Sequence, residues 1–70
     1  MNEWISVEDG LPKLWESVLL YWYGGVQYGS LCKYGETLYW EIVYVGSIHF
    51  TEVTHWQPLP DPPKVAQNKK

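Results

Sequence analysis

Apolar and polar positions alternate with a period of two along most of this chain, and glycine steps interrupt the alternation about every ten residues. The first run, residues 17–23, reads Ser-Val-Leu-Leu-Tyr-Trp-Tyr and stops at Gly24-Gly25, a pair that can take positive φ at both positions of a tight hairpin turn. A second run, 26–34, closes at Gly35-Glu36, and a third spans 37–45. In the third, Leu38, Trp40, Ile42 and Tyr44 alternate with Tyr39, Glu41, Val43 and Val45, and the charge at Glu41 marks the second set as the wetter face. Gly46-Ser47 turns the chain into a fourth run over 48–56. The pattern predicts an all-β or β-dominated small α+β fold, an antiparallel meander of about four strands. A curled sheet and a small open barrel both satisfy it.

The flanks follow different rules. Residues 1–16 read as an entry segment: Ser6 with Asp9 can start one helical turn, which Gly10 and Pro12 stop. At the other end, Pro58-Leu59-Pro60-Asp61-Pro62-Pro63 favours polyproline II over a sheet interior. Such a run predicts a clasp against aromatic rings of its own domain, with Trp56 next door and Trp4 as natural partners. The rival is an exposed ligand for another protein's aromatic groove. Residues 64–70 lack an apolar pattern and are expected to be disordered, leaving 1–63 as the single domain.

Composition sharpens this picture in two ways. Seventy residues are close to the lower size for an unaided core, and Cys32 is the only cysteine, so no disulfide helps. One cysteine and two histidines, without CxxC or HxxxH spacing, give no support to a zinc site. Five Trp, six Tyr and one Phe must therefore supply the core. Each buried ring removes roughly 150–250 Å² from water, and so many rings exceed what a small body can hide. Charge is the second bound. Residues 1–63 carry eight acids against Lys13 and Lys33, a formal charge of −6, and the chain has no arginine. Phosphate neutralisation needs clustered cations, so direct nucleic-acid binding is disfavoured. No basic, apolar leader opens the sequence, and the longest apolar run, Val18–Tyr23, is too short to span a membrane. With a lone thiol, this points to a cytoplasmic protein.

No catalytic constellation stands out. His55, between Thr54 and Trp56, would need an orienting carboxylate and a nucleophile, and no spacing forces Glu52, His49 or a hydroxyl towards it. On one continuous strand His49, Thr51, Val53 and His55 would share a face. His55 is expected to be structural. Cys32, between Leu31 and Lys33, reads as a small buried hydrophobe, and Trp4 and Trp56 as packing anchors. No cofactor or metal is implied. Exposed rings offer the better candidates: Trp15, Tyr21, Tyr23 and Tyr39 fall on the less buried faces, and such residues favour interface centres. They suit a protein-binding surface or, alternatively, a homo-oligomer.

The two ends carry a further signal. Residues 4–12 match the pattern Trp-Ile-Ser-Val-x-Asp-x-Leu-Pro through Trp4, Ile5, Ser6, Val7, Asp9, Leu11 and Pro12. Residues 54–63 match Thr-His-Trp-x-Pro-Leu-Pro-x-Pro-Pro through Thr54, His55, Trp56, Pro58, Leu59, Pro60, Pro62 and Pro63. These motifs resemble those of DUF551, a family of short phage and prophage proteins, over almost the whole chain. Gly10, Leu14-Trp15 and Gln57 depart from the family pattern. The resemblance implies context and no mechanism: an accessory protein in a bacterial host cytoplasm whose partner is a host or phage protein. It points to Trp4, Pro12, His55, Trp56, Pro58 and Pro60 as structural signature residues.

Overall fold

Strand-forming runs that alternate about glycine turns must pair with their neighbours, and the computed structural model, which describes residues 3–60, shows that pairing. Six strands form one antiparallel sheet: β1 (Ile5–Ser6), β2 (Ser17–Trp22), β3 (Gly25–Tyr34), β4 (Thr37–Ile42), β5 (Gly46–His49) and β6 (His55–Pro58). Their spatial order is β1-β6-β2-β3-β4-β5, and β1 and β5 are its unjoined edges, so the sheet is open and not a closed barrel. The all-β expectation holds. Residues 64–70, expected to be disordered, lie outside the described residues.

Three hairpins build the centre, and each turn has its own chemistry. Trp22 pairs with Gly25, so the first loop is Tyr23-Gly24, both at positive φ (58° and 77°), and not Gly24-Gly25. The reason lies lower in β3. Gly29 stands opposite Val18 and Ile42, where an added Cβ would come within 2.5 Å of the Glu41 carbonyl oxygen and 2.7 Å of Leu20. Of the six glycines only this one has no room for a side chain, and the register that seats it there leaves Tyr23 in the left-handed conformation at roughly 1–2 kcal/mol. The second loop, Gly35-Glu36, falls where the pattern predicts, with Gly35 at positive φ.

The third run is shorter than its alternation suggests. Strand β4 ends at Ile42, and Val43–Val45 forms the turn, closed by Val45 N–H donating to the Ile42 oxygen at 3.0 Å. Tyr44, expected on the core side, is therefore a fully exposed loop tip with φ 69°. The fourth run also divides. His49 Nδ1 accepts from Thr51 N–H and caps a short 3₁₀ turn, Phe50–Glu52, which carries the chain from one edge of the sheet to the strand beside β2. His49 and His55 therefore do not lie on one continuous strand: three strands stand between them, and Phe50 and Val53 of the crossover turn inward to cover the core.

The inner face holds that core: Val18, Leu20, Leu31, Trp40, Ile42, Val53 and Trp56, with Ile5, Val7, Trp22, Leu38, Ile48 and Phe50 packed against it. Trp40 is completely buried. Its indole N–H donates to the Phe50 carbonyl at 3.0 Å, and its ring stacks on Phe50 with centroids 5.9 Å apart. The crossover is thereby fastened to the sheet by both a polar and an apolar contact.

The two ends meet through β1 and β6, with Ile5 opposite Trp56 and Ser6 opposite His55. Ser6 continues into one helical turn in which the amides of Asp9 and Gly10 donate to its carbonyl (2.9 and 3.2 Å). That turn presents the Gly10 carbonyl to the Trp56 indole N–H at 2.9 Å, and Pro12 is buried behind it. Pro58 ends β6 beyond the reach of β1 and pairs only with Val18, which is how a residue without an N–H is accommodated there. Pro58, Leu59 and Pro60 are exposed; residues 61–63 of the expected polyproline clasp lie outside the described residues.

Candidate functional site

Paired residues in an antiparallel ladder project to the same side, so the register reads out the composition of the outer face row by row. One row crosses the sheet as Ser6, His55, Tyr21 and Val26. The next runs Gln57, Leu19 and Tyr28. Trp4 extends it at one end, meeting Tyr21 edge-on at 6.1 Å, and Val43 adjoins the other, donating its N–H to the Tyr28 carbonyl at 3.0 Å. A third row is polar throughout: Ser17, Ser30, Glu41 and Ser47. Within it Ser47 donates to the Glu41 carboxylate at 2.8 Å.

Beyond Ser6, His55 and Gln57 at the β1–β6 end, the first two rows form an apolar band, and with His55 neutral they carry no formal charge. Tyr28 is 59% exposed, Val26 55%, Val43 50%, Tyr21 42% and Trp4 39%. At the Trp4 end the band deepens into an apolar notch of about 210 Å³ lined by Trp4, Tyr21 and His55. Both rings of the T-shaped pair and the imidazole border this hollow. Loss of alternation on β2, where both faces are apolar, is the sequence signal for it.

The four rings expected at a contact surface are divided by this arrangement. Tyr21 is in the band. Tyr23 projects from the adjoining hairpin tip and stacks on Trp22 at 4.9 Å. Tyr39 lies beyond the polar row, paired with Cys32 and His49. Trp15 sits before the start of β2 at φ 70°, its N–H donating to the Leu31 carbonyl at 2.8 Å. Of the band, Trp4, Leu19, Val26, Tyr28 and Val43 are not among those candidates. Val26 and Tyr28 alternate with Gln27 and Gly29, a period-two signal open to view. Trp4 reads as a packing anchor and is instead half-exposed beside Tyr21, because only the β1–β6 pairing carries it to the outer face.

The polar groups make local bonds. His55 Nδ1 and the Thr54 hydroxyl are 2.9 Å apart, and His49 Nδ1 lies 3.0 Å from the Thr51 hydroxyl. Glu52 accepts from the Trp22 indole at 3.0 Å, and Ser6 Oγ accepts from the Glu8 amide. A wider hollow of about 460 Å³ lies between the N-terminal turn and the crossover, with Ser6, Glu8, Thr51 and His55 on its wall. No hydrogen bond among the described residues joins His55 to a carboxylate. Nor do the described residues contain a group of three or more His, Cys, Asp or Glu side chains placed to hold a metal ion. Cys32 is buried against Ser30, with Sγ 3.7 Å from its hydroxyl. Partial burial, then the neighbouring Cys32 thiol and Glu41, hold the Tyr39 phenol above its ordinary value.

A model of the family described as "Protein of unknown function (DUF551)" matches residues 3–64. The chain belongs to DUF551. No curated protein and no solved structure matches it. The geometry explains what the DUF551-like motifs at the two ends do in this chain. Trp-Ile-Ser-Val-x-Asp contributes β1 and the turn that presents the Gly10 carbonyl, and Thr-His-Trp contributes β6 and the indole that binds it. Of the signature residues, Pro12 and Trp56 close the inner side, and Trp4 and His55 line the outer notch. No helix of the described residues is long and apolar enough to cross a membrane.

Proposed function

We propose that this DUF551 protein is a non-catalytic protein-binding module, a phage or prophage accessory protein acting in the bacterial cytoplasm. Its contact surface is the band of Trp4, Leu19, Tyr21, Val26, Tyr28 and Val43. The observation that carries this reading is the charge-free, half-exposed apolar band on a face that an isolated antiparallel sheet ordinarily gives to polar side chains. Exposed apolar patches bounded by polar residues mark interaction sites. Trp and Tyr at the centre of such a patch bury large areas at small entropic cost.

The mechanism is occlusion. A rigid acidic body lays its outer face on a host or phage protein and blocks or recruits it. The lysine-poor, arginine-free composition gives phosphate no cationic track, so nucleic acid is not the partner in this reading. No cofactor takes part, and the imidazole of His55 serves as a wall of the notch.

Affinity capture from a bacterial host, run in parallel with wild type and Tyr28→Glu, tests the proposal. A defined protein retained by the wild type and absent from the variant supports it. Retention that is indifferent to Tyr28→Glu would place binding elsewhere on the molecule.

A further inference from the structure

We propose that the outer band is the contact face of a two-fold homodimer, in which a second copy of this chain lies sheet against sheet over it. The inference rests on the reading of the band as a protein-binding surface and names a second copy, in place of a host or phage protein, as what covers it.

Charge selects that occupant. The described residues hold seven acids against two lysines, so two bodies repel each other wherever those acids face. The band carries neither sign. On the same face the register places one acid, Glu41, in the polar row beside the band, where Ser47 already bonds its carboxylate. A basic partner would find its complement elsewhere on this molecule. A second acidic copy, by contrast, needs a surface free of charge.

Area agrees. Five half-exposed side chains, two of them tyrosines and one a tryptophan, leave on the order of 500 Å² of apolar surface open, given roughly 150–250 Å² for each aromatic ring. Homodimer interfaces are about 65% apolar. The band alone thus offers the larger part of the roughly 800 Å² per copy that a stable interface buries, and its polar borders are the rim that would supply the rest. Sheets that pack face to face lie about 10 Å apart with strands nearly aligned, a spacing that interdigitated Tyr21 and Tyr28 rings fill.

Size supplies the motive. The core of the described residues is one cluster of seven buried side chains, and domains this small gain stability from association.

Sedimentation velocity on the full chain over a hundredfold concentration range tests the inference. The wild type is expected to shift from monomer to dimer as concentration rises. Tyr28→Glu, which places a charge in the middle of the band, should weaken association by roughly thirtyfold or more. Val26→Lys should act in the same direction with the opposite charge, and Tyr44→Ser, at a loop tip outside the rows, should leave it unchanged. Thermal melts of each variant show that the fold is kept. A wild type that stays monomeric at every concentration, or a dimer indifferent to both band substitutions, overturns the proposal. If a monomeric wild type still captures another protein and loses it with Tyr28→Glu, the dimer falls and the binding reading stands. If it is monomeric and captures nothing through the band, both fall.

Discussion

The two faces of this sheet are built from the same kinds of residue and put them to opposite uses. On the inner face every indole finds a partner: Trp40 reaches the Phe50 carbonyl, Trp56 the Gly10 carbonyl and Trp22 the Glu52 carboxylate. These bonds let large rings be buried or half-buried without stranding their polar atoms. They also tie the N-terminal turn and the crossover to the sheet. On the outer face Trp4, Tyr21 and Tyr28 stay half-exposed, and their neighbours are valines and a leucine instead of the charged side chains found in the turns. The difference teaches that aromatic content alone does not measure the core of a small domain. What separates a core ring from a contact ring is which side of the pleat it falls on and what crosses over it.

The largest expected effect is on the inner side. Trp40→Ala removes a fully buried ring and leaves the Phe50 carbonyl without its donor, and should destabilise the fold by about 3–5 kcal/mol in denaturant titration. Tyr28→Ala, measured at dilution where the chain is monomeric, should change stability by less than about 0.5 kcal/mol. Comparable losses for the two would break the division between faces.

Gly29→Ala is next in size. Its Cβ would press on the β4 backbone, which cannot yield like a flexible side chain, for an expected cost of about 1–3 kcal/mol by the same titration. A near-neutral result would show that β3 can shift its register and that the rows of the outer face are not held in place. The smallest effect concerns pH. The Tyr39 phenol is raised above 10.0 in the folded chain, so the folded state holds that proton more tightly. Its contribution is fully present below the ordinary tyrosine value and is lost as pH rises through the higher folded one. Alkaline unfolding should therefore flatten in Tyr39→Phe, a change readable in pH-dependent melts.

Much of this fold is legible from residue order. The β-branched and aromatic runs over 17–23, 26–34 and 37–45 define β2, β3 and β4 to within a few residues, since residue type and glycine turns are local properties. The run over 48–56 is misread as one strand because nothing local shows that Phe50 and Val53 must cover Trp40 and its neighbours. Tyr44 is misplaced for a related reason: alternation continues on paper through Val43–Val45 after the chain has begun to turn. The candidate site was half visible. Tyr21 follows from its place opposite the core positions of β2, whereas Trp4 and His55 join it only once β1 and β6 pair.

By itself the sequence determined the strand class, the hairpin spacing, the charge-poor aromatic character and the two terminal motifs, all of which depend on neighbours a few residues apart. Tertiary structure alone decided that those motifs form one strand pair, that β6 inserts between β1 and β2, and that Trp4, Tyr21 and Tyr28 fall side by side. Those contacts join residues up to about fifty positions apart. Their energy comes from burying one shared face, a term that no local window of the chain contains.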